Sequence, residues 1–234
     1  MLRSRVTRLA PLVAAIAAVV VLSAPAFAAT AAHWAMNEPA GATTMGAMIM
    51  VDDSGHSNNG ILQDVAANAG FYTFNGSTSR VVVPDNPDGS LDPGTADFSY
   101  SVRIRTTTVP DDVVGDYDLL RKGLGSTKGG YFKVELYPNS SNTKARALCQ
   151  AQGTKGAAKL VGSANLADGA WHTITCEKKP SALNLNMYVD GALTATKPNT
   201  IGSIANAAAL TIGAKDIGGD WFRGDMDDAT VSIG

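Results

Sequence analysis

Apolar and polar residues alternate with a period of two along most of the chain after residue 28. The alternation is clearest at 98–105 and 183–189, where every second side chain is apolar or aromatic, and it recurs at 171–177. Successive side chains of a β-strand point to opposite faces, so this pattern is typical of strands with one buried face. Shorter strand-like runs lie at 71–74, 81–83, 131–137, 146–152, 210–212 and 226–233.

Turn residues separate these runs. The run at 183–189 leads directly into Asp190-Gly191 and a second run at 192–195, which predicts a β-hairpin. Clusters of Gly, Pro, Asn, Asp and Ser lie between other runs, at 84–94, 123–130, 138–143, 153–156 and 213–219. Many short strands separated by turns predict an all-β protein in which two antiparallel sheets form a sandwich.

Helical signals are scarce. No sustained apolar stripe of helical period follows residue 28, which argues against a parallel α/β fold. Residues 199–209 are the one helix-compatible stretch, which could hold a turn or two of helix before a strand.

The N-terminal segment has the organisation of a secretory signal peptide. Residues 1–28 contain three arginines, then an apolar run at 9–22, then an Ala-Phe-Ala site at 26–28. The alternative is a transmembrane anchor, but the run is shorter than the ~20 apolar residues that a spanning helix needs. The sequence therefore predicts an exported, extracellular protein with one domain at 29–234 and no membrane association after signal cleavage.

The charge balance disfavours two classes of partner. The whole chain has a formal net charge of −2, and residues 1–28 contain arginines but no acidic residue, so the predicted exported form is more acidic still. An acidic domain of this kind lacks the basic surface that nucleic acids and anionic lipids require. We therefore expect no nucleic-acid partner.

Cys149 and Cys176 are the two cysteines, and both belong to the predicted exported part. Outside the cell such a pair is more often bridged than free, although two buried thiols are the alternative. A bridge would stabilise the fold by roughly 3 kcal/mol through the unfolded chain. It would join either neighbouring strands or the two layers, and Cys176 would share a strand face with Ile174, whereas Trp171 points the other way.

Several short motifs, in order, resemble a known family. The segments 170–174, 187–191 and 221–228 are similar to the motifs of laminin-G-like, concanavalin-A-like domains of exported bacterial proteins, and Trp34 and Phe98-Ser99 agree with them. The resemblance covers about residues 32–234 and implies a jelly-roll sandwich. It implies no single activity, because the superfamily includes lectins, glycosidases, lyases and interaction modules.

An enzyme is not expected from the acidic residues. Sandwich glycosidases need two carboxylates aimed at one bond, and the glucanases of this superfamily place them on alternate positions of one strand. Glu135 and Glu177 have no acidic residue two or four positions away, and Asp227 and Asp228 are adjacent and so point to opposite faces. The paired strands of the similar lyases are also missing, and the three histidines lack zinc-ligand spacing.

A structural Ca²⁺ ion is the predicted cofactor. Asp52, Asp53 and Asn59 in an early loop, together with Asp228 near the C-terminus, offer the oxygen ligands that calcium prefers. The resemblance makes such an ion plausible, since relatives of this fold often hold one. The alternative is that the two early aspartates cap a turn and Asp228 makes backbone hydrogen bonds.

A glycan is the predicted ligand, with an extracellular protein as the alternative. Sugars gain affinity by stacking on exposed aromatic rings. Trp34 and Trp171 lie in apolar strands and are expected in the core, whereas Trp221 lies in a loop near Asp216 and Asp220. These three loop residues form the predicted ligand site of a secreted, non-catalytic binding module, and a purely structural module is the rival interpretation. The patterns do not determine an oligomeric state.

Overall fold

The computed structural model describes residues 29–42, 48–111, 115–179 and 183–234. The predicted signal peptide at 1–28 lies outside the described residues. Within the described ranges the chain forms strands and no helix. No helix in these ranges is long and apolar enough to cross a membrane.

The strands follow one another with short connections. They are β1 (Ala29–Trp34), β2 (Gly41–Ala42), β3 (Ile49–Met50), β4 (Gly60–Gln63), β5 (Ala66–Ala67), β6 (Tyr72–Asn75), β7 (Arg80–Val83), β8 (Phe98–Arg105), β9 (Tyr117–Lys122), β10 (Tyr131–Pro138), β11 (Ala145–Gly153), β12 (Gly156–Val161), β13 (Trp171–Lys179), β14 (Asn184–Val189), β15 (Ala192–Pro198), β16 (Leu210–Ile212) and β17 (Arg223–Ile233).

These strands build two antiparallel sheets, as the sequence predicted. The nine-stranded sheet has the order β15-β14-β13-β8-β17-β6-β5-β2, with β1 also paired to β17. The eight-stranded sheet has the order β12-β11-β10-β9-β16-β7-β4-β3. Chain neighbours such as β8 and β9 lie in different sheets, which makes the fold a jelly-roll sandwich rather than two meanders.

The core forms where the alternating apolar faces of β8 and β10 meet. Phe98 and Tyr100 of β8 are buried, and their rings lie 5.3 and 5.0 Å from the ring of Phe132 in the opposite sheet. The Tyr100 hydroxyl reaches the backbone carbonyls of Lys133 and Gln150, at 3.2 and 3.0 Å. An aromatic ring with a polar tip therefore spans the two layers without leaving a buried hydroxyl unpaired.

The two cysteines are bridged, and the bridge joins the two sheets. Cys149 lies in β11 and Cys176 in β13, with their Cα atoms 5.6 Å apart. The structure therefore decides between the two predicted arrangements in favour of the layers. Cys176 and Ile174 are both buried on the same face of β13, as predicted from the period of two.

The predicted hairpin is confirmed, and the predicted helical turn at 199–209 is wrong. Val189 pairs with Ala192, so Asp190 and Gly191 form a two-residue loop, with φ values of 52° and 78° that suit this turn. The backbone of 199–209 instead bonds to neighbouring loops, for example through paired bonds between Gly94 and Ile204. These long-range partners satisfy the groups that a helix would have paired internally.

Candidate functional site

Asp52, the first predicted calcium ligand, uses both carboxylate oxygens to hold its own loop. Its Oδ1 accepts hydrogen bonds from the backbone N–H groups of His33 and Ser54, each at 3.0 Å, and its Oδ2 accepts one from Asn58 at 2.8 Å. The side-chain oxygen of Asn59 in turn accepts the N–H of Asp52 at 2.8 Å. Burial favours the neutral acid, but the donated bonds outweigh it and lower the pKa of Asp52.

The remaining predicted calcium ligands meet at a histidine. The His33 ring lies between Asp53, 2.6 Å from Nδ1, and Asp228, 3.0 Å from Nε2. Burial alone would lower the pKa of His33, but the two carboxylates outweigh it and raise that pKa. His33 thus links Asp53 to Asp228, while Asn59 accepts the N–H of Asp52. Both oxygens of Asp52 accept backbone N–H groups, which suits the alternative role of a loop cap. Calcium binding by Asp53, Asn59 and Asp228 stays a prediction.

The predicted ligand residues Trp221, Asp220 and Asp216 lie in the loop that precedes β17, and their contacts differ. Asp216 is exposed, whereas the Asp220 carboxylate pairs with Lys215 and lies among other carboxylates. Trp221 is half-buried, with the Arg80 guanidinium 5.9 Å from its ring. A ligand role for these three residues stays a prediction.

A groove of about 520 Å³ lies where β6 and β8 end and β17 begins. Its wall contains Arg105, whose Nε and Nη2 donate to Oδ2 of Asp225 at 2.9 and 2.7 Å. Thr73 donates to the other oxygen of Asp225 at 2.7 Å. The exposed side chains of Arg223 and Thr107 also line the groove. The groove thus presents hydroxyls, a carboxylate and guanidinium groups.

Aromatic rings hold the arginines at one end of this groove. The guanidinium carbons of Arg103 and Arg105 each lie 4.7 Å from the Trp171 ring, and Arg105 is also 5.2 Å from Phe71. The expectation that Trp171 is a core residue is wrong, because the ring lies half-buried on the outer face of the nine-stranded sheet. Trp34, in contrast, is fully buried as predicted and donates to the carbonyl of Asn58 at 2.8 Å.

Sequence reasoning also missed a group of carboxylates around Glu135. Oxygens of Asp116, Glu135 and Asp220 all lie within 4.8 Å of one another, and Asp118 is the cross-strand partner of Glu135. Burial, followed by the charge of Asp118, raises the pKa of Glu135 to about 8. Burial, followed by Asp220, raises the pKa of Asp116 to about 7. The spacing Asp116-x-Asp118 was the available signal, because alternate residues of a strand share a face.

The comparisons with known proteins assign a family. The family described as the concanavalin A-like lectin/glucanases superfamily matches residues 75–232. None of the curated proteins matches the chain in sequence.

Solved structures share the fold at low sequence identity. The binding domain of Paraclostridial Mosquitocidal Protein 1 is 16% identical with a TM-score of 0.61, and the match covers 81% of this chain and 48% of that one. Domain 4 of AbnA, a GH43 extracellular arabinanase from Geobacillus stearothermophilus in complex with arabinotriose, is 13% identical with a TM-score of 0.58, covering 88% and 93%. Domains LG4-5 of the mouse laminin alpha1 chain are 18% identical with a TM-score of 0.52, covering 70% and 42%. This chain thus spans about half of the first of these structures.

Proposed function

Because the chain belongs to the concanavalin A-like lectin/glucanases superfamily, we propose that it is an extracellular, non-catalytic module that binds carbohydrate in the groove between β6, β8 and β17. The observation that carries the proposal is the row formed by Thr73, Asp225 and Arg105 along the groove wall. Planar charged side chains with fixed orientation suit sugar hydroxyls, which donate and accept hydrogen bonds side by side.

Preorganisation supports this site over the predicted one at Trp221. Arg105 is held by Asp225 on one side and by the rings of Trp171 and Phe71 on the other, so little side-chain entropy remains to be lost on binding. The lining of the groove includes the ends of β6 and β8, the start of β17 and residues 106–108. Domain 4 of AbnA, which has the same fold, was solved with arabinotriose bound.

The test fills the groove without removing a hydrogen bond. Thr107 is exposed and lines the groove, so Thr107→Trp places a large ring where the ligand would lie. Leu193→Trp is the matched control, because it adds a ring of the same size at an exposed position of β15. We expect arabinotriose or the best ligand of a glycan array to lose at least about tenfold in affinity with Thr107→Trp and to keep it with Leu193→Trp.

Two outcomes contradict the proposal. An array and a pull-down on insoluble polysaccharides that yield no ligand would favour an extracellular protein as the partner. Equal affinity of the Thr107→Trp variant and the wild-type protein would exclude this groove. In that second case Trp221→Ala tests the site predicted from the sequence.

A further inference from the structure

The carboxylate cluster lies on the face of the eight-stranded sheet that points away from the core. Val134 and Leu136 of β10 are buried in the core, so Glu135 between them points to the opposite face. A shift in the pairing of β9 and β10 sets Asp118 directly across from Glu135. Asp116 precedes Asp118 by two residues and joins it on the same face.

The loop before β17 brings Asp220 to the same face of the sheet. The backbone N–H of Asp118 donates to the carbonyl of Asp220 at 2.9 Å, which fixes the loop against β9. The side chain of Asp220 then lies within hydrogen-bonding reach of Asp116. Three separate segments of the chain therefore place carboxyl groups at one point.

Cationic side chains compensate only part of this charge. Lys133 contacts Oε1 of Glu135, Lys215 contacts Asp220, and Arg121 donates to Oδ2 of Asp118 at 2.5 Å. Among the residues that the structure describes, four carboxyl groups thus face three cationic groups. Each of these contacts uses one oxygen of its carboxylate and leaves the other directed elsewhere.

An independent observation at Glu135 and its neighbour Asp118 points to a ligand. Oδ1 of Asp118 and Oε2 of Glu135 are buried and accept no hydrogen bond from any described residue. Both side chains are only 1% exposed, and the two carboxyl groups lie within hydrogen-bonding reach of each other. Buried carboxylate oxygens that face one another without a donor are strongly unfavourable unless a cation or a proton lies between them.

The dimensions match a cation that prefers oxygen ligands. Calcium–oxygen distances of about 2.3–2.6 Å allow two ligands on opposite sides of the ion to be up to about 5 Å apart. The oxygens of Asp116, Glu135 and Asp220 lie within 4.8 Å of one another, so they can surround one ion without a change of backbone. Carboxylate ligands without histidine or cysteine favour a hard cation over zinc.

We propose that Asp116, Glu135 and Asp220 bind a divalent cation of this hard class, with Ca²⁺ as the preferred ion and Asp118 beside it. The ion would join β10 and the start of β9 to the loop that precedes β17. It would therefore act as a structural crosslink on the outer face of the sheet. None of these three residues belongs to the calcium set predicted from the sequence.

Thermal unfolding of the full chain tests the site directly. The EDTA-treated protein is compared with and without Ca²⁺, Mg²⁺ or Mn²⁺, and Ca²⁺ binding is measured by calorimetry. At a Ca²⁺ concentration 100 times the Kd, we expect the Tm to rise by roughly 5–10 °C. No glycan is present, so the result does not depend on the proposed carbohydrate site.

Variants locate the ion. Asp220→Asn removes one ligand charge, and we expect it to weaken Ca²⁺ binding at least about tenfold. In EDTA it should unfold close to the wild type, because the lost repulsion among the carboxylates offsets the lost contact with Lys215. Asp216→Asn is the matched control, an exposed aspartate of the same loop, and it should keep the full shift. Asp53→Asn should also keep it. If Asp220→Asn does not fold, Glu135→Gln replaces it.

Three results would overturn the proposal. The first is a wild-type Tm that none of the three cations changes, which would mean that protons hold the cluster together. The second is a Ca²⁺ shift that Asp220→Asn and Glu135→Gln both retain. The third is a shift that Asp53→Asn abolishes, which would place the ion at the His33 junction.

Discussion

Reduction of the bridge between Cys149 and Cys176 should lower the free energy of unfolding by an amount that follows from the length of the loop it closes. The bridge closes a sequence separation of 27 residues. For a loop of this length the chain-entropy relation gives about 3.5 kcal/mol of stabilisation through the unfolded state. For a protein of this size, that corresponds to a Tm lower by roughly 7–14 °C after reduction.

Urea denaturation of the oxidised and reduced wild-type proteins measures the stabilisation that the disulfide supplies. The two forms differ only by the two thiol hydrogens, and both cysteines are buried, so the packing of the core changes little between them. Reduction requires passage through the unfolded state, because the bridge is inaccessible in the native protein. The reduced form should unfold at lower urea with a larger m-value, since its unfolded chain exposes more surface.

A double Cys149→Ala/Cys176→Ala variant serves as the control. It lacks the bridge and also loses buried sulfur atoms, so it should be less stable than the reduced wild type by about 1–3 kcal/mol. Coincident unfolding of the oxidised and reduced proteins would refute the argument. It would mean that the bridge does not restrict the unfolded chain, whatever its position between the sheets.

Two further predictions concern pH and backbone conformation. Burial alone would lower the pKa of His172, but the carboxylates of Asp168 and Asp190 raise it, so the charged ring stabilises the fold below its unfolded pKa of about 6.5. The stability lost in His172→Gln should therefore be largest near pH 5.5 and shrink as the pH rises through the raised pKa; a difference in urea stability that grows with pH would contradict this. Gly224 has a φ of 149°, and a Cβ atom there would lie 2.6 Å from the last carbonyl oxygen of β8. Gly224→Ala should therefore lower the free energy of unfolding, measured by urea denaturation, by about 2 kcal/mol or more. Gly125→Ala, with open space around the new methyl group, should leave it nearly unchanged. Similar decreases in the two variants would contradict the steric argument.

Local sequence patterns predict much of the fold. The alternation at Phe98–Arg105 sets which side chains of β8 enter the core, because the strand period of two needs no tertiary information. Asp190-Gly191 specifies its turn through the φ values that these residues tolerate. The family motifs between 170 and 228 agree with the matched family. The signal peptide at 1–28 stays a prediction.

The errors arise where a neighbour outside the local sequence decides the outcome. Residues 199–209 have helix-compatible side chains, but bonds to Gly94 and Gly129 satisfy the backbone at Ile204 and Ala205. Trp171 has the apolarity of a core residue, yet no further layer of the described structure covers that face of β13. Its ring packs on arginines instead.

The all-β class, the main strands and the hairpin follow from residue type and from distance along the chain. The bridge between Cys149 and Cys176 was the favoured of two alternatives. Which side chains share a site depends instead on contacts across the fold. Glu135 has no acidic neighbour on its own strand, but strand register places Asp118 across from it and a distant loop adds Asp220. His33 likewise meets Asp228 because β1 pairs with β17, and it meets Asp53 because the loop after β3 packs against β1. Sites depend on contacts between segments far apart in the chain, and register and loop packing fix those contacts.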